Sequence, residues 1–167
     1  MTDRMRIALA ADHGGADLKL ELLERLPRAG VTHELIDLGG DGSDPLDDYP
    51  DFAVRIGAAI AEGRADRGIL ICGSGVGAAI AATKIQGVRA SVCHDTYSAH
   101  QGVEHDNMNV ICFGARIIGI ELALECATAF LGATFSTEPR HRRRVAKVMA
   151  IEAAEGRTPE PSMRTNA

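Results

Sequence analysis

Tryptophan is absent from this chain, and two Tyr and four Phe supply all of its Tyr, Phe and Trp rings. That leaves little material for the stacking platforms that hold single-stranded nucleic acid. Positive charge is not in excess either. Eighteen Lys and Arg face 23 Asp and Glu, a formal net charge of −5, which argues against a nucleic-acid partner bound through its phosphates. No apolar run approaches the roughly 20 residues needed to cross a bilayer, so no membrane association is expected. The opening MTDRMRIALAADHGG has too short an apolar segment for a secretory signal and runs straight into a fold element. A cytoplasmic location is the expectation. The four cysteines, Cys72, Cys93, Cys112 and Cys126, include no C-x-x-C pair, and their spacing suits neither a zinc ribbon nor a disulfide framework. Reduced thiols are the default.

What is present is an ordinary soluble composition, 46% hydrophobic and 25% charged over 167 residues, enough for one domain with a substantial core. Five short apolar runs read as strands: Arg6–Ala11, His33–Gly39, Arg67–Cys72, Val88–Cys93 and Asn109–Gly114. Segments with helical spacing separate them, ADLKLELLERLPRAG, YPDFAVRIGAAIAEG, GVGAAIAATKIQG and TYSAHQGVEHD, and two more follow the fifth strand. Continuous hydrophobic strands alternating with helices imply a parallel sheet covered on both faces. The expectation is an α/β fold: a single three-layer α/β/α, Rossmann-like domain around a five-stranded parallel sheet, spanning residues 1–155. The polar, proline-containing end, 156–167, reads as a mobile tail.

Ligands of such sheets bind beyond the carboxyl ends of the strands, which directs attention to Asp12-His13-Gly14-Gly15, Gly39 to Tyr49, Cys72 to Gly77, His94-Asp95 and Gly114 to Arg116. The third of these, ICGSGVG, places glycines at 73, 75 and 77 between a strand and an alanine-rich helix, with a thiol in front. Such a turn exposes amide N–H groups, and a following helix adds its positive end. A thiol there tends toward the thiolate, and Ser74 is near enough in sequence to share a proton with it. Thiolate base and amide nest are what proton abstraction beside a carbonyl needs. Two other readings stay open. Gly73-x-Gly75-x-x-Ala78 with Asp95 matches a tolerant dinucleotide fingerprint, and a plain tight turn with a buried cysteine has the same letters.

Beyond the loop, Asp12 could hold a sugar hydroxyl, and His13 an anion. DDYP reads first as a helix start capped by Asp48, though Tyr49 could reach a site. His100, His105 and Asp106 invite a metal reading, but the i, i+5 spacing does not align the two histidines on a helix face. In EPRHRRRVAK, Arg140 and Arg144 are one helical turn apart and suit a phosphate dianion; a solvated basic face opposite Val145, Val148 and Met149 explains the same pattern. Arg116 is a third cation for that anion.

Taken together, IALAADHGG, DYPDFA, ILICGSGVG…AATK…GVRA, DTYSA…EHDNMNV, FGARIIG and RHRRRV…IE resemble the ribose-5-phosphate isomerase B family, which includes galactose-6-phosphate isomerase subunits. The resemblance runs from about Met5 to Glu155. It implies an aldose–ketose isomerase acting through a cis-enediolate without metal or organic cofactor. Cys72 would be the base and Ser74 its assistant; the amides of Gly73, Gly75, Val76 and Gly77 would form the anion hole. His105 would open the sugar ring, with Asp12 and Tyr49 at ring oxygens and hydroxyls. His13, Arg116, Arg140 and Arg144 would hold the phosphate. The resemblance also implies a homodimer with a site shared between subunits, His105 and Arg116 serving the partner's Cys72, and leaves open a dimer of dimers. Two positions depart from the family: Ala78 stands where some members carry a glutamate base, and Asp106, followed by Asn107, where Asn is common. The alternatives that remain are a non-catalytic sugar-phosphate binder and a dinucleotide-dependent oxidoreductase.

Overall fold

The computed structural model describes residues 4–154; the expected tail at 156–167 lies outside the described residues. Five strands and six helices alternate: β1 (Arg6–Ala11), α1 (Ala16–Arg28), β2 (Glu34–Asp37), α2 (Tyr49–Ala61), β3 (Arg67–Cys72), α3 (Val76–Ala82), β4 (Ala90–Val92), α4 (Thr96–Asp106), β5 (Val110–Gly114), α5 (Ile120–Gly132) and α6 (Pro139–Ala154). The sheet is parallel throughout, in the order β2-β1-β3-β5-β4.

The three central strands are apolar at nearly every position because both of their faces are covered. Their side chains alternate strictly between two cores. Ile7, Leu9, Ile69, Ile71, Ile111 and Phe113 face one way, against Leu18, Leu22 and Leu26 of α1, Ala99 and Val103 of α4, and Ala123 and Phe130 of α5. Ala8, Ala10, Leu70, Cys72, Val110 and Cys112 face the other way, against Phe52 and Ile56 of α2 and Ala78 and Ala82 of α3. Cys72 thus belongs to the face that carries α2 and α3. Helix α6 packs on α4 rather than on the sheet, and among its described residues only His141 is buried.

Three elements are the most shortened relative to the sequence pattern. Strands β2 and β4 lie at the two edges and lose residues at both ends, since an edge strand pairs on one side only. Helix α3 stops at Ala82 rather than running to Gly87. There the chain turns through shorter-range bonds, Lys84 N–H to Ala81 C=O (3.1 Å) and Ile85 N–H to Ala82 C=O (3.1 Å), and reaches Gly87 at φ +80°. With seven residues, α3 adds little macrodipole to its N-terminal end, leaving the local amides to provide the positive potential. Among the described residues, no helix is long and apolar enough to cross a membrane.

The chain leaves β1 toward β2 on one side and returns to β3 on the other. The crevice between the carboxyl ends of β1 and β3 is therefore the topological switch point, where open α/β sheets bind their ligands. Asp12 follows β1 and Cys72 ends β3, so both residues come to that crevice from the strand order alone.

Candidate active site

At the switch point lies a cavity of about 310 Å³ lined by Asp12, Tyr49, Cys72, Gly73, Ser74, Gly77, Arg116 and Ile117. Its volume is at the small end of ligand pockets, which suits a molecule of a few carbons and not a dinucleotide. Cys72 is 4% exposed, and its Sγ accepts a hydrogen bond from the Gly75 N–H at 3.1 Å. That bond fixes the sulfur at the mouth of the glycine turn. The turn that delivers this N–H needs glycine: Gly75 has φ +81°, and a methyl on it would lie 3.0 Å from the Phe113 carbonyl carbon. The N–H groups of Gly73, Ser74 and Gly77 have no partner among the described residues, so they remain available to an anion. The Ser74 hydroxyl accepts the Val76 N–H at 3.3 Å; it braces the turn rather than touching the sulfur. The Val76 side chain is exposed, outside the lining.

Two contacts shape the cavity wall. A methyl on Gly77 would meet the Tyr49 ring at 2.8 Å, so the phenol lies directly on the glycine loop. Tyr49 arrives there because α2 begins at it, with Asp48 in the N-cap position and Pro50 in the first turn; the Asp48 side chain makes no capping bond. A methyl on Gly73 would come within 3.1 Å of the Arg116 guanidinium. The resemblance assigns Arg116 to the partner's Cys72. In this structure Arg116 lines the same cavity as the Cys72 of its own chain, because its N–H is tied to the Gly73 carbonyl at 3.0 Å.

Asp12 is 7% exposed, with Oδ1 buried and unpartnered among the described residues. Burial raises its pKa above the usual carboxylate value. Its neighbour His13 is not among the lining residues and is tied to Asp47. The His13 backbone N–H and ring Nδ1 both contact Asp47 Oδ1, at 2.7 and 2.8 Å, and that hydrogen bond raises the His13 pKa. Asp47 falls in the Gly39–Tyr49 stretch that the sequence singles out, but its pairing with His13 was not legible, since 34 positions separate the two.

The remaining expected residues gather elsewhere, where α4 meets α6. His105 stacks on His141, ring centroids 4.0 Å apart, and its Nδ1 hydrogen-bonds the Gln101 amide at 2.8 Å. Arg140 Nε donates to His141 Nε2 at 3.2 Å. Desolvation lowers the His141 pKa, and the charges of Arg140 and Arg144 lower it further. His141 sits inside the RHRRR motif, where its arginine neighbours drew the attention. Asp106 and Arg144 line a separate groove of about 630 Å³ beside β4 and α6. Asn107 ends α4 as a left-handed cap, φ 51°, and its carbonyl accepts from Arg89 Nε at 2.6 Å. Among the described residues, no three His, Cys, Asp or Glu side chains are gathered as for a metal ion. Asp95, the ribose-binding acid of the dinucleotide reading, accepts the Ser98 N–H at 2.7 Å as the N-cap of α4. That reading loses its acid.

Fold and cavity together define an α/β protein with a candidate small-molecule site at the switch point, where a thiol, a buried carboxylate and free amides meet. The chain belongs to the ribose/galactose isomerase family, which it matches over residues 7–148. It is 45% identical over 147 residues to ribose-5-phosphate isomerase B of Escherichia coli, covering 88% of this chain and 96% of that one. It is 43% identical over 131 residues to D-erythrulose-4-phosphate isomerase of Pectobacterium atrosepticum, covering 78% and 85%. Ribose-5-phosphate isomerase B from Mycoplasma genitalium, solved with bound ribulose-5-phosphate, superposes with a TM-score of 0.81 at 36% identity, covering 89% of this chain and 96% of that one.

Proposed function

We propose that this chain is a sugar-phosphate isomerase that interconverts an aldose phosphate and its ketose, with ribose 5-phosphate and ribulose 5-phosphate as the leading pair. The observation that carries the proposal is the Cys72 sulfur, held by the Gly75 N–H at 3.1 Å and facing a 310 Å³ cavity with an acid, a phenol and a guanidinium. The relatives named above include isomerases of a four-carbon and a five-carbon sugar phosphate, so the choice of carbon number is part of the proposal.

The chemistry runs as a proton shuttle. The Cys72 thiolate takes the C2 proton of the open-chain aldose, and the electron pair left on carbon forms the C1–C2 double bond of an enediolate. Negative charge that develops on the carbonyl oxygen is received by the free N–H groups of the turn, those of Gly73, Ser74 and Gly77, while the Gly75 and Val76 N–H groups stay on Cys72 and Ser74. The same thiol returns the proton to C1, and a hydroxyl proton moves between O2 and O1. Asp12 and Tyr49 hold the sugar oxygens at the cavity wall, and Ser74 keeps the turn in shape. His105 opens the ring, Arg140 and Arg144 bind the phosphate, and Arg116 and His13 complete the charge around it. Binding energy at the phosphate positions carbons over the thiol.

On one chain, however, none of His105, Arg140 and Arg144 lines the Cys72 cavity, and Arg144 lines a different groove. A symmetric dimer that brings the α4–α6 cluster of one copy over the cavity of the other completes the site. The apolar residues that α6 and α3 leave exposed, Val148, Met149, Ile151, Val76 and Ile80, suit such an interface. Isomerisation measured over four-, five- and six-carbon sugar phosphates tests the reading, with Cys72→Ala as the control. Turnover of the five-carbon pair and its loss by at least ~10³-fold in the variant are expected, near the upper range of general-base effects. A Cys72→Ala variant with near-normal turnover would show the base to be elsewhere, and an inert wild-type chain would leave a binding protein.

A further inference from the structure

We infer that His94 is a positioning residue for the anion-binding turn, acting through the backbone of Gly114. The inference rests on the isomerase reading above and concerns how that site is held.

The β4–β5 ladder ends at the pair Val92↔Cys112. Two residues further along, His94 and Gly114 would be the next such pair, but β4 has ended. There the His94 ring takes over: its Nε2 accepts the Gly114 N–H at 3.0 Å. An imidazole can accept at Nε2 only when it is neutral with its proton on Nδ1. Desolvation holds the His94 pKa below the ordinary histidine value, which keeps the ring in that form.

Gly114 is the residue against which the catalytic turn leans. A methyl on Gly114 would lie 2.5 Å from both the carbon and the oxygen of the Ser74 carbonyl, and one on Gly75 would lie 3.1 Å from the Gly114 nitrogen. Its neighbours tie the two loops together, through Ala115 N–H to the Cys72 carbonyl (2.9 Å) and Arg116 N–H to the Gly73 carbonyl (3.0 Å). The Gly114 carbonyl in turn accepts the Ile117 N–H at 2.9 Å, closing the turn that carries Arg116. One side-chain hydrogen bond from the sheet edge therefore sets the height of the peptide on which the Ser74–Gly75 amides rest. The Gly75 N–H holds the Cys72 sulfur, and the free N–H groups of Ser74 and Gly77 on either side of it must meet an oxyanion that exists only during reaction, so a shift of about 1 Å would cost turnover more than substrate binding.

The test compares His94→Leu, which keeps bulk and removes the acceptor, with His94→Gln, whose Oε1 can accept the same N–H. His94→Leu should lower kcat at least tenfold with KM within twofold, and His94→Gln should recover most of the loss at a similar Tm. Amide hydrogen exchange, read on the substrate-free protein, should speed up at Gly75, Gly114 and Ala115 in the Leu variant and return toward wild type in the Gln variant. Unchanged kcat in His94→Leu, equal losses in both variants, or unchanged exchange in that turn would each overturn the inference. Because exchange needs no substrate, an inert wild-type chain would refute the isomerase reading and still let the exchange data decide this one.

Discussion

The Cys72 cavity and the α4–α6 cluster carry the two halves of one expected site, and they are built on opposite principles. The cavity is made by the backbone. Its floor is a glycine turn pressed between Tyr49, Arg116 and the Gly114 peptide, and its ionisable side chains Cys72 and Asp12 are 4% and 7% exposed. The cluster is made by side chains on helix surfaces: Arg140 and Arg144 are exposed, and His105 is held by a stacked ring and one amide. Rigid backbone dipoles suit a charge that appears during reaction. Arginines on a helix suit a phosphate whose charge is permanent. Place the chemistry in the first region and the recognition in the second, and substitutions in the two should fail in different ways.

The sharpest way to break this division is to mix two inactive proteins. Cys72→Ala and His105→Ala should each be inactive alone. If the cavity of one copy works with the cluster of another, subunit exchange should restore about a quarter of wild-type activity, because half of the random dimers are mixed and each mixed dimer has one intact site. No recovery after verified exchange would place both halves on one chain. Next in size, Gly75→Ala strains a backbone at φ +81° and drives a methyl to within 3.0 Å of a carbonyl carbon. A kcat loss of about 10²-fold is expected, with a destabilisation of ~1–3 kcal/mol that thermal unfolding would register. Arg140→Ala belongs to the other region and should raise KM for the phosphorylated substrate about tenfold, with kcat within threefold; a selective fall in kcat would put Arg140 in the chemistry.

The smallest effect concerns stability. Burial raises the Asp12 pKa, so the folded chain binds more protons at this position than the unfolded chain does. Asp12 therefore favours the fold at low pH, and that contribution is lost as pH rises from the unfolded carboxylate value through the raised folded one. At neutral pH the ionised, unpartnered oxygen costs stability. Asp12→Asn should raise Tm by a few degrees at pH 7, lose that advantage as the pH falls below the ordinary carboxylate range, and lower turnover. A Tm gain that is independent of pH would point to packing instead of ionisation.

Much of the fold could be read in advance because it is local. The apolar runs Arg6–Ala11 and Arg67–Cys72 are strands with the expected bounds, since central parallel strands are hydrophobic on both faces. The edges and the α3 terminus shifted because pairing partners and short-range turns, not residue type, end those elements. Within the site, the residues directly after strands were legible: Asp12, Cys72 and the glycine turn sit where a parallel sheet must bind its ligand. The partner of Asp47 and the place of His141 were not. Asp47 matters only because a 34-residue excursion returns it to His13, and His141 because α6 packs this buried side chain onto His105.

By itself, then, the sequence determined the alternation of strands and helices, the turn that only glycine can make at position 75, and the presence of a thiol in front of it. These follow from side-chain size, hydrophobic period and backbone freedom, which neighbours along the chain decide. Only the tertiary structure decided which of these groups meet: that Arg116 lies on its own chain's glycine loop, that Tyr49 covers Gly77, and that His105, Arg140 and Arg144 stand apart from Cys72. Distance between residues far apart in sequence depends on strand order and helix packing, and no spacing of letters encodes it.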